Sequence, residues 1–193
     1  MKVYRSMRTN WLTQKFAVNK VFFDYGVYGL VGHNGIDWAC YFGEPIYWDC
    51  DIRGTVVETS IDATAGVGCD IITEDKDGIF KHTFWHFKVN GLAVQAGQVL
   101  VSGDLIGYGD STGISTGNHL HRQLKLQGKN SMGRYYNLEP ENGFKGAVDP
   151  NLYFTNIFIK DYMATLQSQI DILTKMIEII KKILALKIQV KIN

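Results

Sequence analysis

Hydrophobic and polar positions divide the chain into two textures. From Phe16 to about Phe154, short runs rich in Val, Ile, Tyr, Phe and Thr are separated by Gly, Asn and Asp, the pattern of an antiparallel β protein. The runs predict strands over Thr55–Ser60, Asp70–Thr73, Phe80–Phe87, Gln98–Val101, Leu105–Tyr108 and His119–Leu126. Turns are expected at Gly66-Val67-Gly68, Asp77-Gly78 and Gly128-Lys129-Asn130. The stretch Gln127–Val148 reads as a surface loop, with Tyr135 and Tyr136 either lining a groove or pinning the loop to the core.

Beyond Tyr153 the period changes. From Asp161 onward there is no Gly or Pro, and Met163, Leu166, Ile170, Leu173, Ile177, Ile180 and Leu184 recur at steps of three and four. A second row, Ile172, Met176, Ile179, Ile183, Leu186 and Val190, widens the apolar face beyond a two-stranded seam. The expected fold is mainly β: an antiparallel β-sheet domain over residues 1–156, then a long C-terminal amphipathic α-helix over residues 157–193. Burial of so wide a face fits self-association into a homo-oligomer best, ahead of docking to a partner or, through its lysines, to a membrane surface. Those lysines interrupt every window long enough to span a bilayer.

Composition narrows the function. The formal charge is +1 and no Lys/Arg block occurs in the first 155 residues, which argues against a nucleic-acid partner. Cys40, Cys50 and Cys69 form no Cys-x-x-Cys pattern and read as small buried thiols, with a Cys40–Cys50 bridge left open. The N-terminus lacks the continuous apolar stretch of a secretory signal. Delivery to an extracellular or periplasmic substrate is then expected through cell lysis, a phage particle, another export route or a signal lying outside this sequence.

Four of the five histidines sit in settings that resemble a metal site. In His33-Asn34-Gly35-Ile36-Asp37, Asn-Gly favours a turn over a helix, and a turn can bring imidazole and carboxylate to one point. In His119-Leu120-His121, strand geometry places both imidazoles on one face. One nitrogen from that pair, with His33 and Asp37, gives two His and one carboxylate, leaving a fourth zinc position open for water. The run Gly109–Asn118, including Gly113 and Thr116, lacks the Gly-Lys-Ser/Thr of a phosphate loop and reads as a groove wall where a substrate backbone approaches closely.

With these motifs in order, the chain resembles the lysostaphin/LytM-like zinc endopeptidases, which cleave peptide bonds in bacterial peptidoglycan. The resemblance runs from about Thr13 to Phe154. It includes Gly32-His33-Asn34-Gly35-Ile36-Asp37, Gly43-Glu44-Pro45-Ile46-Tyr47, Trp85-His86-Phe87, Ser111 through His121, and Val148-Asp149-Pro150. It implies one Zn2+ per chain, held by His33, Asp37 and His121, with His86 and His119 as the catalytic pair. A tyrosine preceding the first ligand assists in some members, and Tyr28 is the nearest candidate. Phe84-Trp85-His86-Phe87 stands where the family shows Tyr-x-His-Leu, and His82 has no counterpart and reads as an ordinary strand residue. A non-catalytic binding or virion-assembly module on the same fold is the alternative, but such members lose zinc ligands and this chain keeps them.

Overall fold

The computed structural model describes residues 2, 3, 7, 11–19, 24–156, 170, 173–178, 180 and 181. The strands in chain order are β1 (Lys2–Val3), β2 (Trp11–Gln14), β3 (Ile36–Ala39), β4 (Pro45–Tyr47), β5 (Gly54–Asp62), β6 (Gly66–Asp75) and β7 (Gly78–Leu92). They continue as β8 (Val99–Leu100), β9 (Leu105–Gly109), β10 (His119–Lys129), β11 (Tyr135–Asn137), β12 (Ala147–Val148) and β13 (Thr155–Asn156). The main sheet runs β2-β3-β10-β7-β6-β5-β8, and β1 pairs with β13 separately. The pairings along the main sheet are antiparallel, as the alternating texture predicts.

Strand β10 is the spine. Along it Leu120, Arg122 and Leu124 are buried on one face, while His119, His121, Gln123 and Lys125 line a cleft on the other. The core beneath packs Phe84 and Phe87 of β7, Cys69 and Ile71 of β6 and Leu120 against Ile46 of β4 and Ile106 of β9, strands that pair with each other. All three cysteines are buried and none is in a disulfide, as small apolar-like thiols are expected to be.

Arg122 is the one strongly polar side chain sent into that core from β10. It is 1% exposed, and Nη1 donates to both Asp49 carboxylate oxygens at 2.9 and 2.7 Å. Nη2 donates to Cys50 Sγ at 3.3 Å and His82 Nδ1 at 3.1 Å, while the guanidinium carbon lies 4.9 Å from the Phe84 ring centre and 4.5 Å from that of Phe154. Burial works against the charge, but Asp49 outweighs it and holds the guanidinium pKa above its ordinary value. His82 is therefore more than a filler of its strand. Burial first, then Arg122, pushes its pKa well down, so the neutral ring accepts from Arg122 and bonds Thr73 Oγ1 through Nε2 at 3.1 Å.

Three expectations need correction. Gly66-Val67-Gly68 is not a turn but the start of β6, and the hairpin bends one step earlier, at residues 63–65. The space beside Gly68 is taken by the Trp85 ring, which a Cβ there would meet at 2.1 Å, so the glycine marks close cross-strand approach rather than a bend. Gly128 and Lys129 likewise belong to β10, and the turn lies at residues 131–133. Within Gln127–Val148, β11 and β12 both pair with β10. Tyr136 covers Gly128, and the Tyr135 ring lies 5.1 Å from Lys129 Nζ; neither tyrosine lines the cleft.

The chain separates into two compact units, Met1–Thr155 and Asn156–Asn193. Most of the helix expected from Asp161 lies outside the described residues. Those described there, Ile170, residues 173–178, Ile180 and Lys181, are helical, with Leu173, Met176, Ile177 and Ile180 exposed. Among the described residues, no helix is long and apolar enough to cross a membrane.

The buried ion pair gives the first test. Asp49→Ala leaves Arg122 charged in the core and is expected to cost about 3–5 kcal/mol of stability, whereas the double variant Asp49→Leu/Arg122→Met, which removes both charges, recovers most of the loss. Urea denaturation of the single and double variants measures both.

Candidate metal centre and active site

His33 and Asp37 reach one point without a helix. Residues 31–35 form bends leading into β3, whose second residue is Asp37, and His33 Nε2 lies 3.2 Å from Asp37 Oδ1. The third group comes from the neighbouring strand: His121 is paired directly with Asp37 across β3 and β10. His121 Nδ1 is 2.8 Å from Asp37 Oδ1 and 2.9 Å from His33 Nε2. All three side chains are buried.

These three atoms are placed to hold a metal. A tetrahedral zinc with bonds of about 2.05 Å sets its ligand atoms about 3.3 Å apart, and the triangle here has sides of 2.8, 2.9 and 3.2 Å. Two imidazole nitrogens and one carboxylate oxygen are also the donor types of catalytic zinc sites, where a fourth position stays open. The residues fit zinc in both geometry and chemistry.

Electrostatics prepares the donors. Burial alone would raise the Asp37 pKa, but the imidazoles of His121 and His33 outweigh it and hold the carboxyl well below the usual carboxylate range. Burial lowers the His121 pKa and so favours the neutral ring that a metal needs. His33 is oriented by the carbonyl of Lys15, which accepts from Nδ1 at 3.0 Å and leaves the Nε2 lone pair for the centre. Gly35 packs against the His121 ring, and a Cβ there would meet its Nε2 at 2.7 Å.

His86 and His119 stand beside the triangle with ring centres 4.3 Å apart. The Thr112 carbonyl accepts from His86 Nδ1 at 2.6 Å, and the Gly117 carbonyl accepts from His119 Nδ1 at 2.8 Å. Both rings therefore use Nδ1 as the donor to the backbone, which leaves Nε2 as the nitrogen available to the cleft. His119 Nε2 is 3.8 Å from Asp37 Oδ2. Burial first, and the neighbouring imidazole of His119 second, push the His86 pKa down to about 4.

His86 reaches the cleft through a break in strand phase. The register between β6 and β7 shifts from Val67↔Phe87 to Cys69↔Phe84, so β7 carries one extra residue there. His86 itself has φ +69°. Phe84 and Phe87 stay in the core while Trp85 and His86, consecutive in sequence, both line the cleft. Period-two alternation would have sent His86 to the core face with Phe84. The left-handed conformation costs a non-glycine residue about 1–2 kcal/mol, a strain of the kind found where a side chain is aimed for function.

The cleft has a volume of about 410 Å³ and collects His33, Asp37, His86, His119 and His121 together with Tyr28. Gly113 and Thr116 do not line it; Ile114 supplies the wall from that loop. Gly113, at φ +78°, packs on the chain's own β5–β6 hairpin, where a Cβ would meet Gly66 N at 2.4 Å. Thr116 is exposed.

Several cleft residues escaped the sequence reading. Tyr25 opens the 3-10 turn Tyr25–Tyr28; its hydroxyl accepts from Gln14 Nε2 at 2.6 Å and its ring centre is 5.6 Å from that of His33. Burial, with the Asp37 charge second, pushes the Tyr25 pKa up to about 12, so it stays a phenol. Its spacing of three from Tyr28 was the available signal. Trp85, Gln123, Lys125 and Lys145 also line the cleft.

Residues 31–132 match the family described as Peptidase family M23. The chain belongs to this family. M23 peptidases are zinc-dependent, and the chain carries a candidate site at His33, Asp37 and His121. The chain is 33% identical over 105 residues to glycyl-glycine endopeptidase ALE-1 of Staphylococcus capitis, covering 52% of this chain and 28% of that protein. It is 32% identical over 97 residues to peptidoglycan DD-endopeptidase ShyA of Vibrio cholerae, covering 50% of this chain and 21% of that one. The catalytic domain of lysostaphin from Staphylococcus simulans shares the fold, with a TM-score of 0.55 at 21% identity over 75% of this chain and 91% of that domain. The chain thus spans under a third of the two curated relatives, 28% and 21%.

The strained histidine gives the second test. Glycine occupies a left-handed φ freely whereas alanine does not, so His86→Gly is expected to be about 1 kcal/mol more stable than His86→Ala. Thermal unfolding of the two variants side by side checks this. Equal stabilities would show that the left-handed φ at residue 86 carries no cost.

Proposed function

We propose that this M23 peptidase is a zinc endopeptidase that hydrolyses peptide bonds in bacterial peptidoglycan cross-links. The observation that carries the reading is the convergence of His33 Nε2, Asp37 Oδ1 and His121 Nδ1 within 3.2 Å of one another, beside two further imidazoles whose Nδ1 atoms are bound to backbone carbonyls. The names of the relatives, a glycyl-glycine endopeptidase and a peptidoglycan DD-endopeptidase, support the substrate class.

In this reading His33, Asp37 and His121 hold one zinc, and His86 and His119 are the catalytic pair. Zinc bound there polarises the scissile carbonyl and lowers the pKa of a water toward about 7. The chain's own residues supply the proton traffic. His86 is an uncharged base at neutral pH, because its pKa lies at about 4, and its Nε2 accepts a proton from the attacking water. The N–H so formed is a donor for charge developing on the carbonyl oxygen and then a source of the proton the leaving amine requires. His119, held on Gly117, faces the same space from the β10 side and shares the positioning of water and oxyanion. Tyr28 lines the same cleft and is a candidate contact for substrate.

The residues beyond Asn156 serve, in this reading, as an assembly element that brings several chains together. Ending the chain near Phe158 is expected to give a monomer that still hydrolyses its substrate, measured by light scattering and turnover. A full-length monomer at micromolar concentration would overturn the self-association.

Zinc content and turnover of the same variants test the site. His121→Ala and Asp37→Ala are expected to lose both, whereas His119→Ala and His86→Ala keep zinc and fold but lose turnover by about 10²-fold or more. A zinc-free His119→Ala beside a zinc-replete, inactive His121→Ala would exchange the two roles. The pH profile adds a signed expectation. Because the His86 pKa is depressed, the ring becomes protonated, and useless as a base, only as pH falls toward about 4. The acid limb of kcat/KM should therefore lie below the ordinary histidine range near 6.5.

A further inference from the structure

The cleft floor does not end at the metal triangle. His119, His121, Gln123 and Lys125 follow one another on the same face of β10 and all line the cleft, so Lys125 lies four positions, about 14 Å of strand at 3.4 Å per residue, beyond His121. Lys145 lines the same cleft from the loop before β12.

These two ammonium groups are placed at a cost to the fold. Burial, then repulsion from Lys81, lowers the Lys125 pKa, and Lys145 lowers it further. The nearby carboxylates attract these lysines without pairing with them: Asp70, whose charge works against the lowering of the Lys125 pKa, binds Lys81 Nζ at 2.8 Å and the Thr83 hydroxyl at 2.5 Å, and Asp62, which lines the same cleft and feels the Lys145 charge, accepts through Oδ1 from the amides of Thr64 and Ala65, both at 2.7 Å. Among the described residues, neither Lys125 nor Lys145 makes an ion pair. Lys145 also has φ +52°, an uncommon conformation for a residue with a side chain. Asn142 clamps its turn, with Oδ1 accepting from Phe144 N at 2.9 Å and Gly146 N at 3.1 Å. Two like charges, one half-buried and one on a strained turn, gain from an anion brought by a ligand.

We propose that Lys125 and Lys145 form a subsite for a free carboxylate on the peptide substrate, three to four residues from the scissile bond. An extended peptide along the floor advances about 3.3–3.4 Å per residue, which sets that spacing. The proposal rests on the reading of this chain as a cross-link hydrolase and refines its specificity. A bridge made only of glycine has no side-chain carboxylate to offer, whereas an acidic stem peptide does, so the subsite selects substrates whose acidic group flanks the cut.

The test uses the zinc-loaded full chain and two sets of synthetic peptides, one with a pentaglycine scissile segment and one with a D-alanyl cross-link. Each set carries either a carboxylate or the matching carboxamide at positions two to five residues from the cut. The expected result is a kcat/KM ratio of carboxylate to carboxamide of about ten, greatest at three or four residues and expressed in KM. That ratio should fall toward one in Lys125→Gln and in Lys145→Gln and persist in Lys145→Arg. Lys145→Gln sits on an exposed turn and keeps the test valid should Lys125→Gln fold poorly. No hydrolysis of any peptide would count against the proposed function itself. Hydrolysis without a carboxylate preference, or with one that survives both glutamine variants, would overturn the subsite. Inhibition by poly(glycerol phosphate) that depends on both lysines, with no preference among the peptides, would also overturn it and assign the lysines to phosphate.

Discussion

The metal triangle depends on the register of β10 between β3 and β7. His121 faces Asp37 on one side and Trp85 on the other, and a slip of one residue would turn every second side chain to the opposite face. Arg122 resists that slip. It follows His121 directly, and its bidentate bond to Asp49 can form only beneath the sheet. A buried ion pair is a poor source of net stability compared with an apolar pair of the same volume, but it penalises any arrangement that leaves either charge alone. Here that penalty fixes which face of β10 presents histidines to the cleft.

Above the sheet a second regularity governs the chemistry. His33, His86 and His119 each donate Nδ1–H to a backbone carbonyl, those of Lys15, Thr112 and Gly117. Each therefore keeps Nδ1 on the backbone and has Nε2 left for the site, whereas His121 presents Nδ1. The tautomers are set by chain geometry rather than by other ionisable groups, so they do not depend on the protonation state of a neighbour. The loops holding these carbonyls thus act on the reaction without touching substrate.

Much of this was legible in the sequence, for identifiable reasons. Strand alternation in His119-Leu120-His121 places two imidazoles on one face whatever the tertiary context. The step of three between Phe84 and Phe87, where the preceding core positions Phe80, His82 and Phe84 step by two, records the bulge at His86. The metal triangle needed only a turn between His33 and Asp37. Less legible were features created by packing of distant segments. Nothing local distinguishes Asp49 from other acidic residues, or Gly68 from a turn glycine, until Arg122 and Trp85 arrive from other strands. Short strands such as β2 and β4, of four and three residues, carry too little pattern to register. Lys125 and Lys145 belong to no motif that the sequence offers. Their meaning comes from a shared cleft, not from spacing.

The division between a continuous floor and looped rims bears on how such a protein can diversify. Lengthening β10 or β7 by one residue near the histidines would invert the faces of everything beyond it, so lineages can alter the floor only by substitution. The connections at residues 63–65, 131–134 and 138–146 hang from strand ends, where insertions leave strand phase untouched. Of these, the first and last contribute Thr64, Ala65 and Lys145 to the cleft. Changes of length at the rim can therefore alter what is bound while the strand phase that aligns the histidines is kept.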